Sequence, residues 1–125
     1  MWRRRAKEGW HPDDILPGML ARNAMLWEVI QEQGVTEETP LRLEFFYQSG
    51  GAQADAQLAA FLRATTDFDI TVDGGGYYGV SGWTQPGTGN VELINAWVTA
   101  MVHAGYDHGR CKFDGWGAPI PDAPR

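Results

Sequence analysis

Residues 68–83 read Phe68-Asp69-Ile70-Thr71-Val72-Asp73-Gly74-Gly75-Gly76-Tyr77-Tyr78-Gly79-Val80-Ser81-Gly82-Trp83. Two short runs flank three consecutive glycines. In the first run Phe68, Ile70 and Val72 fall on one side of an extended chain, and Asp69, Thr71 and Asp73 on the other. The glycines allow a tight reversal, and so short a connection joins antiparallel strands, not parallel ones. The pattern predicts a hairpin with strands over 68–73 and 77–83.

The flanking segments repeat a simple plan. Upstream, residues 41–48 alternate, with Leu41, Leu43, Phe45 and Tyr47 on one face and Arg42, Glu44, Phe46 and Gln48 on the other. Ser49-Gly50-Gly51 ends that run, and an Ala-rich helix over 52–65 follows, with Ala54, Leu58, Phe61 and Leu62 facing inward. Downstream, Asn90 is an N-cap and Glu92 suits the first turn of a helix. Its inward stripe is Val91, Ile94, Val98, Met101 and Val102, and it ends near Gly105. A last strand over 109–114 puts Cys111 and Phe113 inside and Arg110, Lys112 and Asp114 outside. The order βαββαβ predicts an α+β fold, a ferredoxin-like sandwich of a four-stranded antiparallel sheet with two helices on one face. An extra N-terminal helix over 19–33 precedes it, with Met19, Asn23, Leu26 and Ile30 at helical spacing and Gly34 as its stop. Residues 1–18, punctuated by Pro12, Pro17 and Gly18, read as an arm. The domain spans 19–117, and the proline-rich 118–125 read as an irregular tail.

Composition narrows the function. A chain of 125 residues with 43% hydrophobic content suits one domain with a real core. Lys plus Arg number 10 against 16 Asp plus Glu, a net charge of −6 that disfavours a general polyanion binder. Arg3-Arg4-Arg5 is the one basic cluster; it reads as a solvated tail or as a contact for an acidic partner or RNA. Cys111 is the only cysteine, so no intrachain disulfide forms. No apolar run approaches the roughly 20 residues of a membrane span, and no apolar stretch follows the arginines as in an export signal. A cytoplasmic location is the expectation.

Candidate chemistry is sparse. Asp107, His108 and Cys111 lie close in sequence, with His103 nearby, yet their spacing matches no familiar zinc pattern. A buried thiol and two surface histidines is the better reading, with no metal. Asp67, Asp69 and Asp73 alternate with apolar residues as a strand's solvent face does, unlike a calcium loop. Ser49 and Ser81 have no evident histidine partner, and no nucleophile elbow is present. Gly74-Gly75-Gly76 lacks the Lys-Ser/Thr of a phosphate loop. No catalytic residue, cofactor or small-molecule substrate is expected.

The sheet face opposite the helices is more promising. Phe46, Tyr77 and Trp83 are placed there, as are the base-stacking aromatics of RNA-recognition modules of similar topology. Arg42, Arg110 and Lys112 would hold phosphates. Glu44, Asp69, Asp73 and Asp114 share the face and oppose direct single-stranded RNA binding. A rival expectation is that the N-terminal helix packs across this face and buries its aromatics.

The C-terminal third adds a resemblance. Asn90-Val91-Glu92-Leu93-Ile94-Asn95-Ala96-Trp97-Val98 opens a helix that leads to Lys112-Phe113-Asp114-Gly115-Trp116-Gly117. A helix followed by a strand ending in Phe-Asp-Gly-Trp-Gly resembles the regulator of ribonuclease E activity B (RraB) family, and the upstream elements agree in order over about 19–117. The resemblance implies a ferredoxin-like, non-enzymatic cytoplasmic regulator that binds ribonuclease E or its degradosome scaffold and lowers RNA decay. It carries over no catalytic residue. The chain departs from the best-known member in lacking a long acidic C-terminal tail, so acidic contacts fall to the folded surface. Within the binding class, an immunity or antitoxin-like role is a further alternative. Asp114, Gly115 and Trp116 join Phe46, Tyr77 and Trp83 as expected partner-binding residues. Trp116 also reads as a latch across the sheet edge, since the flanking glycines allow close backbone approach.

Overall fold

The computed structural model describes residues 9–119. The arginine cluster and the end of the proline-rich tail lie outside the described residues. The elements are α1 (Pro12–Glu32), β1 (Glu44–Gln48), α2 (Ala52–Thr65), β2 (Asp69–Val72), β3 (Tyr78–Trp83), α3 (Val91–Asp107) and β4 (Phe113–Gly117). The four strands form one sheet in the order β2-β3-β1-β4, antiparallel at every pairing. This is an α+β architecture with three helices. None of the described helices is long and apolar enough to cross a membrane.

One side of the sheet makes the core. Phe45 and Tyr47 of β1, Val80 of β3 and Phe113 of β4 are almost fully buried. They meet Leu58 and Leu62 of α2 and Val98, Met101 and Val102 of α3. The Tyr47 hydroxyl donates to the Met101 carbonyl at 2.7 Å, which satisfies the one polar atom that this side chain brings inside. The alternation in 41–48 and the stripe in 91–102 therefore face where their periodicity predicts. Asn90 caps α3 as expected, its Oδ1 accepting from the Leu93 amide at 2.9 Å.

α1 begins seven residues before the predicted start and takes in Pro12, Pro17 and Gly18. His11 is its N-cap: its Nδ1 accepts from the Asp13 amide at 3.1 Å, and the Asp14 carboxylate accepts from the His11 amide at 2.9 Å. Pro12 sits where a helix needs no N–H, and Asp13 and Asp14 complement the dipole. The prolines that suggest an arm thus belong to a capped first turn and its continuation. α1 runs beside α3 in the helix layer, with Asn23 bonded to Asn95 and with Trp27 and Ile30 in the shared core. It does not lie across the open sheet face, which corrects the expectation that it buries the aromatics there.

Two bulges shift faces. Tyr47 pairs with Val80 but Gln48 pairs with Tyr78, so Gly79 is an extra residue in β3. Phe46 pairs with Gly115 but Tyr47 pairs with Phe113, so Asp114 is extra in β4. The last strand consequently runs over 113–117, later than the predicted 109–114, and the Asp-Gly-Trp-Gly segment lies inside the sheet. Arg110 has a positive φ of 60° and precedes the strand. Gly105 lies within α3 and does not end it; a Cβ there would overlap the Cys111 carbonyl and the Tyr47 ring.

Candidate partner-binding groove

A groove of about 310 Å3 runs between α1 and the β4 edge. Met19, Arg22 and Leu26 of α1 form one wall. Phe46, Tyr78 and the Asp114-Gly115-Trp116 segment line the opposite side, with Asn23, Val98 and Phe113 also bordering it. Four of the six expected partner-binding residues, Phe46, Asp114, Gly115 and Trp116, therefore converge.

The β4 bulge sets this geometry. As the extra residue, Asp114 accepts from the Gln48 side-chain amide at 2.9 Å. The Asp114 carboxylate beside it also raises the pKa of the Tyr78 hydroxyl above the ordinary 10.0. Phe46 and Tyr78 lie with ring centroids 5.0 Å apart at 39°, an aromatic pair beside an acidic group. Gly115, at φ 142°, takes a backbone conformation that a side chain would strain. Trp116 turns to the helix side, where its Nε1 donates to Asn23 Oδ1 at 2.8 Å.

The other two expected residues lie elsewhere. Tyr77 is 65% exposed beyond the start of β3, edge-on to Tyr78 at 5.0 Å. The bulge at Gly79 puts Tyr78, not Tyr77, opposite Gln48 beside Phe46, and a glycine inside a strand run was the available signal. Trp83 stands at the far end of β3 under the Arg42 guanidinium, 5.1 Å from its ring centroid. Arg42 is ion-paired with Asp69, so part of that cation is already engaged. Arg110 does not join the open face: its guanidinium lies 4.0 Å from the Tyr106 ring and donates to the Tyr106 carbonyl at 2.6 Å.

Asp55 is the polar residue that helical periodicity missed. It is 3% exposed on α2 and accepts from Ser49 Oγ at 2.6 Å and the Gly50 amide at 2.9 Å. A Cβ at Gly79 would overlap its carboxylate, so the buried acid and the bulge glycine require each other. Cys111 Sγ lies 3.5 Å from Asp55 Oδ1. Burial first, and the carboxylate second, push this thiol up to about 12. That is the opposite of the lowered pKa of a reactive thiolate, and the cluster reads as a structural tie. His108 stacks on Phe61 with centroids 3.8 Å apart. Among the described residues no three His, Cys, Asp or Glu side chains gather as a metal site.

No protein-family model and no curated protein matches this sequence.

Proposed function

We propose that this chain is a non-catalytic cytoplasmic regulator of the RraB type, which binds ribonuclease E or a related degradation scaffold through the α1–β4 groove and lowers RNA decay. The observation that carries the reading is the convergence of Phe46, Tyr78, Asp114 and Trp116 around the bulged Asp-Gly-Trp-Gly strand. The strand order β2-β3-β1-β4 supports a ferredoxin-like assignment, since a split βαβ repeat generates that order. Aromatic anchors beside a carboxylate suit a partner segment that carries both apolar and cationic side chains. A net charge of −6 favours approach to a basic, RNA-binding scaffold, where an acidic domain competes with RNA. Inhibition then proceeds by occlusion.

The decisive measurement is affinity capture of the tagged full chain from its native cell, with and without nuclease. A nuclease-resistant ribonuclease in the eluate, lost on Phe46→Ala, is the expected result. Absence of any ribonuclease, together with unchanged transcript half-lives on deletion, sinks the proposal. A second reading, single-stranded RNA stacking on the open face, is favoured by exposed Tyr78 beside half-buried Phe46 and by Arg42 over Trp83. It predicts salt-dependent RNA binding that falls on Trp83→Ala, a residue outside the groove.

A further inference from the structure

β4 is an edge strand, and the hydrogen-bond pattern of the sheet shows which of its peptide groups face outward. The Thr84 amide donates to the Leu43 carbonyl at 2.8 Å, so the odd-numbered residues of β1 turn their peptide groups toward β3. The Gln48 amide donates to the Lys112 carbonyl at 2.8 Å, so the even-numbered ones turn toward β4. Phe46 pairs with Gly115 and Glu44 with Gly117. Both glycines therefore bond to β1, and Trp116 between them points its N–H and C=O away from that strand. Among the described residues no backbone group outside the sheet bonds to Trp116.

The space on that free side is the α1–β4 groove. α2 packs on β2 and β3 and α3 on β4, whereas α1 packs chiefly on α3. α1 thus extends the helix layer past the last strand, and its Met19 and Leu26 border a groove under which no described strand lies. Core-side Phe113 and open-side Phe46 both border the groove, so it follows the strand edge. On the open side a Cβ at Gly115 or Gly117 would meet empty space. A large side chain on a neighbouring strand can lie across Gly115 toward Phe46. Charge sits at two points, exposed Arg22 on the helix wall and Asp114 on the strand wall. Arg22 forms no ion pair among the described residues. The opposite edge of the sheet is guarded: the Ile70 carbonyl accepts from Arg63 at 3.1 Å, and Asp69 and Asp73 are exposed there.

We propose that the groove takes an extended peptide segment of the partner as a fifth strand, paired with β4 and seated under α1. The Trp116 peptide group fixes its course through main-chain hydrogen bonds. Its side chains then alternate between the two faces. Those on the helix side meet Met19 and Leu26 and include one carboxylate for Arg22. Those on the open side are aromatic, for the surface over Gly115, and cationic, for Asp114. The bulge at Asp114 confines regular pairing to 115–117 and onward. The inference rests on the groove being the partner site, and it specifies the conformation and side-chain pattern of the bound segment.

The probe is the synthetic peptide acetyl-Val-Arg-Val-Tyr-Glu-Arg-amide, titrated into the 15N-labelled full chain. Saturable binding that moves the Trp116 backbone amide resonance is expected. Two derivatives are N-methylated, one at alternate residues from the first and the other at alternate residues from the second, so each loses the donors of one edge. Only one edge of an added strand faces β4. One derivative should therefore bind at least about tenfold more weakly, and the other should keep the parent affinity. Arg22→Glu, at an exposed position, should weaken the parent peptide roughly two- to fivefold, and lysine in place of the peptide's glutamate should recover the loss. Absence of saturable binding overturns the fifth strand. Equal affinities or equal losses for the two derivatives overturn strand pairing. An affinity unchanged by Arg22→Glu overturns the seat under α1. A peptide that binds as a strand, with no ribonuclease captured from the cell, upholds the fifth strand and removes the ribonuclease reading alone.

Discussion

The indole Nε1 of Trp116 donates to Asn23 Oδ1 at 2.8 Å across 93 residues of sequence, and the Asn23 amide donates in turn to Asn95 Oδ1 at 2.9 Å. One asparagine, 2% exposed, thus joins β4, α1 and α3. Each donor is satisfied by a specific acceptor, and such relays hold elements in a single arrangement. The latch expected of Trp116 is this contact, and its far end is a side chain that helical periodicity marked only as an inward position.

Replacing Asn23 by Leu leaves the Trp116 N–H without its acceptor and Asn95 without its donor. A loss of about 2–3 kcal/mol is expected. Urea titration measures it, and Trp116→Phe in the same background should recover part of the loss. An Asn23→Leu chain as stable as wild type contradicts the relay.

Gly79 and Asp55 are expected to be strongly coupled. Gly79→Ala overlaps the Asp55 carboxylate, and Asp55→Ala strips Ser49 and the Gly50 amide of their acceptor. Each should cost about 2–4 kcal/mol. In the double variant the clash is gone, so the combined loss falls short of the sum by more than about 1 kcal/mol. Simple additivity in a double-mutant cycle would falsify the coupling.

Alkaline pH should erode stability in a defined window. The Cys111 thiol rises from 9.0 to about 12, chiefly through burial and then through Asp55. Tyr47 is also raised above its ordinary 10.0, mainly by burial. Below about pH 8 both groups stay protonated whether the chain is folded or not, so neither alters stability there. Between 9 and about 12 the thiol ionises in the unfolded chain while the folded one keeps its proton, and stability falls. Cys111→Ala should make that fall shallower, as read from urea midpoints over pH 7–11. A thiol reagent at pH 8 should leave the folded chain unmodified and label it fully in denaturant.

The β3 bulge distinguishes two neighbouring tyrosines. Tyr78 lines the groove beside Phe46, and Tyr77 does not. Tyr78→Ala should therefore reduce partner capture by about tenfold or more, as an anchor residue does, and Tyr77→Ala by less than about threefold. Surface-immobilised partner and purified variants suffice for the comparison. Equal losses would remove the groove as the contact.

Much of the fold was legible because periodicity is local. Phe45 and Tyr47 alternate with Phe46 and Gln48 wherever the strand is placed, and Val98, Met101 and Val102 share a helix face whatever covers it. Caps are local too, and Asn90 bonds three residues onward. The His11 cap was harder to see, since histidine is not a usual N-cap and two prolines followed it. The groove was half legible. Phe46, Asp114, Gly115 and Trp116 follow from the sequence, but counting alternate residues picks out Tyr77 where the bulge brings in Tyr78.

What the sequence by itself determined is the element order, the hairpin and the inward faces, because these follow from backbone spacing within a few residues. What only the tertiary structure decided is where that counting breaks. A bulge exists only relative to a partner strand: Gly79 is extra because β1 pairs past it, and Asp114 because Phe46 meets Gly115. Burial of Asp55 likewise depends on Ser49, Gly50 and a glycine arriving from another strand. The seat of α1 beside α3 depends on the Asn23 relay. Those contacts join residues far apart in the chain, and no local pattern encodes the distance between them.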